Sequence, residues 1–147
     1  MSRRVAREEL FKLVFESELK EESTKEVLDN YLKRDEVLTN ENELAFIKKY
    51  MNGIAENNDR ILETINNNIT GWSFERIGNV EKALLRCSVY ELLCETTPHE
   101  IVVNEVVELA KLYGDEKTSE FVNGVLANAM GRMYLFSFIL CFVKMLS

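Results

Sequence analysis

One proline and six glycines in 147 residues leave this chain very little turn chemistry. A fold of many short strands needs a Gly, Pro or Asn turn between each pair, so the chain must be built mainly from helices. Its length suits about one domain with a real core. Hydrophobic residues make up 46% and charged ones 29%, which excludes a disordered or fibrous chain. Asp and Glu outnumber Lys and Arg by 25 to 18, a net charge of −7. Coating nucleic acid through bulk charge is thereby excluded, and any such contact must come from a local patch.

Apolar spacing predicts about seven helices in a single all-α bundle, with residues 1–129 as the domain and 130–147 as an atypical apolar tail. Ala6, Leu10, Phe11, Val14, Phe15 and Leu19 form the buried stripe of a first helix, and Val27, Leu28, Tyr31 and Leu32 that of a shorter second. A long helix is expected from about Asn40 to Asn66, read as a bundle spine rather than a coiled-coil seam, with Asn58 interrupting its spacing. Trp72-Ser73-Phe74 suggests one helical turn with Ser73 as cap. Asn79 is expected to cap the next helix, which is apolar nearly all round and so central; Arg86 within it requires a carboxylate or helix-end partner. Thr97-Pro98-His99-Glu100 reads as a capping box with Pro98 at the first helical position, and Gly114 as a left-handed stop. Phe121, Val122, Val125, Leu126 and Ala129 mark the last amphipathic helix, where Gly124 and Gly131 suggest close helix packing.

From Met133 to Val143 there is no charge. Such a run spans roughly 16 Å as a helix, about half a bilayer core, so it either packs on the bundle or forms an exposed contact surface. No secretory leader is evident at the start. Cys87, Cys94 and Cys141 form no Cys-x-x-Cys pair and read as small core residues in a reducing cytosol.

Catalytic chemistry is hard to assemble here. The single histidine, His99, has no Ser or Cys at motif spacing, no phosphate-binding glycine loop exists, and no metal set or cofactor site is expected. The informative cluster is Arg3, Arg4 and Arg7, which precede every acid in the chain. Cations at a helix N-terminus oppose the macrodipole, yet guanidinium forks beside bare N–H groups suit phosphate oxygens.

Four blocks resemble the NusB family of bacterial transcription antitermination factors. They are Arg3-Arg4-Val5-Ala6-Arg7-Glu8, Val80 to Arg86 leading into Tyr90-Glu91-Leu92, Val103 to Lys111, and Phe121 to Leu126. Their order and spacing agree over residues 3 to about 128. The resemblance implies a helical, non-enzymatic, cytoplasmic protein that binds the boxA segment of nascent ribosomal RNA, without a cofactor. It further implies action together with NusE, the small-subunit ribosomal protein, in helping the RNA polymerase elongation complex read through terminators. It also implies RNA contacts at Arg3, Arg4, Arg7, Lys12 and Phe15, and a partner-facing surface at Glu81 and Ala127. The free protein is expected as a monomer or a homodimer. Three positions depart from the family: Val5 where another Arg can stand, Phe15 where Tyr is common, and Ala127 where Asp is frequent. The tail from about Met130 matches nothing in it. Two alternatives share the fold class: a helical protein-interaction module contacting through the apolar tail, and an RNA-binding domain like that of ribosomal RNA cytosine methyltransferases, here without a catalytic domain.

Overall fold

The structure, a computed structural model, describes residues 2–146, with the side chains at 2, 134 and 136–138 outside that description. The terminal amine, which the sequence joins to Arg3, Arg4 and Arg7 as a fourth positive group, also lies outside it. The described residues form seven α-helices and one 3-10 turn: α1 (Ser2–Lys20), α2 (Thr24–Tyr31), α3 (Glu41–Glu56), α4 (Asn58–Asn67), the turn Phe74–Arg76, α5 (Asn79–Cys94), α6 (His99–Tyr113) and α7 (Glu116–Leu146). The all-α bundle is as expected.

Helix α5 is the hub, packed by α1, α3, α4, α6 and α7. Ala83, Leu84, Leu85, Val89 and Leu92 are buried along it, as an apolar surface nearly all round requires. Helix α1 lies against α5, α3 and α2 through Ala6, Leu10, Phe11, Leu13 and Val14. Leu19, expected in that stripe, is 57% exposed, and Leu13 is buried instead. Beyond Lys20 the chain turns through Glu21 in the left-handed region, φ 53°.

The long helix expected up to Asn66 is two helices. Asn57 breaks it: its backbone leaves helical geometry (φ −108°, ψ 18°), and its side-chain amide donates to the Gly53 carbonyl at 2.8 Å. That bond gives the backbone a local alternative to the helix ladder. At Gly53, a side chain would collide with the Tyr90 ring, so the close approach of α3 and α5 requires glycine there.

Other local expectations are corrected. Gly78, not Asn79, caps α5. The capping box at Thr97 does not form: Pro98 is the cap of α6, no side chain caps it, and the Thr97 hydroxyl donates to Glu91 at 2.7 Å. Ser73 makes no side-chain cap bond to its turn. Gly114 has φ −120°, outside the left-handed region. Gly124 and Gly131 are exposed, with open space where a side chain would stand, so neither serves close packing.

Helix α7 continues past Met130 to Leu146 without a break. Of the two fates open to the tail, exposure is the one observed: Leu135, Ile139, Leu140, Phe142 and Val143 lie on the surface. Among the described residues no helix is long and apolar enough to cross a membrane. All three cysteines are free. Cys87 and Cys94 are partly buried, with the Cys87 thiol pushed up to about 12 by burial, whereas Cys141 is exposed rather than in the core.

Arg86 has the partner expected of it. Its Nη1 pairs with Glu18 Oε1 at 2.7 Å, and both side chains are nearly buried. Glu18→Ala should cost about 3 kcal/mol in urea denaturation, because it strands a buried charge. Adding Arg86→Met should restore much of the loss; a double variant no more stable than the single would overturn this account.

Candidate nucleic-acid interface

The first two turns of α1 run between α3 and α6, and the three arginines there meet different surroundings. Arg7 points inward. Its Nη2 donates to Glu91 Oε2 at 2.5 Å and its Nε to Oε1 at 3.3 Å, a two-pronged pair with little exposure on either side chain. The same Glu91 Oε2 accepts from the hydroxyls of Tyr50 at 2.9 Å and Thr97 at 2.7 Å. Burial and the adjacent Glu91 charge push the Tyr50 hydroxyl pKa far up, so Tyr50 remains a donor.

Arg3 turns toward α3, with its guanidinium carbon 4.6 Å from the centre of the Phe46 ring. Phe46 is stacked in turn on Tyr50, centroids 3.9 Å apart and planes at 28°. Among the described residues, no carboxylate lies within ion-pair distance of Arg3. Arg4 turns the other way, toward α6, where it meets Glu105 at 3.4 Å with its side chain 73% exposed. So exposed a pair contributes little and leaves the guanidinium available.

Lys12 is exposed further along α1. Phe15 is half-buried, its ring 6.0 Å from Phe11, which contacts Tyr113 at 4.8 Å. Eleven residues is close to three full turns, so Phe15 stands on nearly the same side of α1 as Arg4, about 16 Å along the axis. Thus Arg3, Arg4, Lys12 and Phe15 lie along one helix with accessible surface, whereas the Arg7 charge is held inside by Glu91.

Beside Arg3 opens a groove of about 800 Å³ between α3 and the α5–α6 loop. Phe46, Tyr50 and Ile101 contribute apolar surface, and Lys49, Glu95 and Thr97 polar groups. Lys49 Nζ pairs with Glu95 Oε1 at 2.9 Å, and the Tyr90 hydroxyl donates to Glu95 Oε2 at 2.7 Å. Sequence reasoning missed this α3 contribution. The signal available was the pair Phe46 and Tyr50, four apart on one helix face, next to Lys48 and Lys49. Glu91 was also missed as an organiser, although an acid in the most apolar helix needs a cation as surely as Arg86 needs an anion.

The expected partner-facing residues sit elsewhere. Glu81, in the first turn of α5, accepts from the Thr118 hydroxyl at 3.2 Å. It borders a groove of about 370 Å³ with Trp72, Arg76, Ile77, Lys117 and Phe121, and Trp72 is 60% exposed. Ala127 is exposed nine residues beyond Thr118, about 13 Å along α7, in a separate depression beside Asn67 and Asn128. Glu81, beside the start of α7, and Ala127, on α7 itself, therefore share no pocket. No group of three or more potential metal ligands occurs among the described residues.

Comparison with known proteins agrees with this architecture. The NusB family model matches residues 4–131. A transcription antitermination protein NusB from Fusobacterium nucleatum subsp. nucleatum is 50% identical over 131 residues, covering 85% of this chain and 86% of that protein. The Bacillus subtilis (strain 168) NusB is 36% identical over 129 residues, covering 87% and 94%. Among solved structures, T. maritima NusB superposes with a TM-score of 0.76 at 32% identity, over 86% of this chain and 89% of that one. A structure of the antitermination factors NusB and NusE in complex with dsRNA matches with a TM-score of 0.73 at 28% identity, over 87% and 95%. With nearly all of its bundle matched by the family model and half of its aligned residues shared with the fusobacterial protein, this chain belongs to the NusB family.

Proposed function

We propose that this protein is a non-catalytic transcription antitermination factor of the cytoplasm. It binds boxA RNA of nascent ribosomal transcripts together with NusE, and within the RNA polymerase elongation complex it promotes read-through. The observation that carries this reading is the cationic start of α1: Arg3 and Arg4 are exposed on its two flanks, with Lys12 exposed further along the helix, in a protein of net charge −7. Guanidinium forks next to the free N–H groups of a helix start complement phosphate. Phe15, with part of its ring accessible, supplies a surface on which a splayed base can stack. Arg7 belongs to this site as the residue that fixes the helix start in place, through Glu91.

So small a patch on an acidic protein neutralises few phosphates, which is why a second protein is required for tight binding. Glu81 and the exposed Trp72 beside it are the proposed NusE contact, an aromatic anchor next to charge. Ala127, in a separate depression further along α7, is proposed as a second part of that contact and lacks the carboxylate common in the family. A second reading, contact with another protein through the end of α7, is favoured by the exposed Leu135, Ile139 and Phe142. Removing residues 133–147 should leave RNA binding intact and abolish only such a contact.

Two outcomes are expected. Arg3→Ala with Arg4→Ala should weaken boxA binding several-fold and flatten its salt dependence by roughly 1.4 in log–log slope, about 0.7 for each phosphate left unneutralised on single-stranded RNA. An unchanged slope in fluorescence titrations would remove these residues from the RNA site. Glu81→Lys should weaken NusE capture, measured by calorimetry, while leaving RNA binding by the free protein as it was; equal NusE affinity would place the partner elsewhere.

A further inference from the structure

The three arginines of α1 differ in what they have left to offer. Arg7 is consumed by Glu91, and Arg4 stands beside Glu105. Arg3 is held by an aromatic ring and, among the described residues, meets no carboxylate. Behind it runs a column of π-surfaces: Phe46 stacked on Tyr50, and Tyr50 edge-on to Tyr90 at 5.1 Å. Phe46 and Tyr50 border the groove of about 800 Å³, with Ile101 on the α6 side.

A phosphate needs no such surface, since it is bound through charge and N–H donors. A flat aromatic heterocycle does. Planar cations and rings are the surfaces on which unpaired bases stack, and the groove volume lies within the range of sites for ligands far larger than one base. Its rim holds hydrogen-bonding groups of both kinds: Lys49 keeps ammonium hydrogens beyond its pair with Glu95, and the Thr97 hydroxyl, whose proton goes to Glu91, keeps acceptor lone pairs. Its mouth is continuous with the cationic start of α1, so a base lodged there leaves its own phosphates beside Arg3 and Arg4. We infer that this groove is a nucleobase subsite, in which one unpaired base of the bound RNA stacks on the exposed guanidinium plane of Arg3 that Phe46 backs. The inference rests on the RNA-binding reading above and adds to it α3 and the α5–α6 loop as the elements that receive a base.

The test uses a set of boxA-like single-stranded RNAs, each carrying one 2-aminopurine, whose fluorescence falls when it stacks on an aromatic or guanidinium plane. The full-length protein should quench one position on binding. Arg3→Lys keeps the charge and removes the planar fork, so its salt slope should stay unchanged while the quench is lost and affinity falls roughly ten-fold. Phe46→Leu, which preserves core bulk, should lose the same quench. Since Phe46 is buried and its variant can unfold, circular dichroism checks the fold and Arg3→Lys, at an exposed position, decides alone if needed. Tight binding with no position quenched, or quenching unchanged in Arg3→Lys, would overturn the subsite and leave the RNA-binding reading standing. Absence of binding to every RNA, with or without NusE, would overturn both.

Discussion

The carboxylate of Glu91 is the point on which the candidate interface depends. It sits in the most apolar helix, where an uncompensated charge is strongly unfavourable, and it is compensated from three other parts of the chain. Arg7 reaches it from α1, Tyr50 from α3 and Thr97 from the loop before α6. Satisfying one buried anion thus draws together the elements that border the groove. It also explains why Thr97 does not cap α6: its hydroxyl is already engaged.

Helix α1 is fastened to α5 twice, with the polarity reversed between the two ends. Near its start an arginine of α1 meets a glutamate of α5; near its end Glu18 of α1 meets Arg86 of α5. The order of these pairs along the two helices makes them antiparallel; inverting α1 would set like charges together in the interior, and sliding it would leave them unpaired. Hydrophobic burial supplies the attraction between these helices, since Leu10, Val14, Leu84 and Leu85 are almost fully enclosed. The paired charges select the orientation and register. With α1 held this way, Arg3 and Arg4 are left on opposite flanks of the helix start, one over Phe46 and one toward Glu105.

Much of this was readable from residue spacing. The helical class, the central place of α5 and the need of Arg86 for a carboxylate follow from apolar periodicity and the energetics of burial. The break at Asn57 was not, because Asn58 interrupts the pattern without saying that the neighbouring amide would turn back onto the Gly53 carbonyl. The capping box failed for a related reason. Local motifs weigh only a residue's chain neighbours, and Thr97 had a stronger partner six residues back across a loop. Of the candidate RNA residues, Arg3 and Arg4 were visible as uncompensated charge. The inward turn of Arg7, and the groove formed with Phe46 and Tyr50, depend on contacts between segments about 40 to 85 residues apart, which no spacing rule reports.

Synthesis runs from the N-terminus, so α1 is made well before its anchors on α5 and the loop that follows. Until Glu91 and Thr97 have been added, Arg7 has no buried anion to meet and the groove has only one wall. A nascent or truncated chain ending before α5 therefore displays the three arginines at the start of α1 as a small local charge without a shaped surface beside them. Selectivity arrives late in translation, when a single glutamate draws the arginine inward and closes the groove around it.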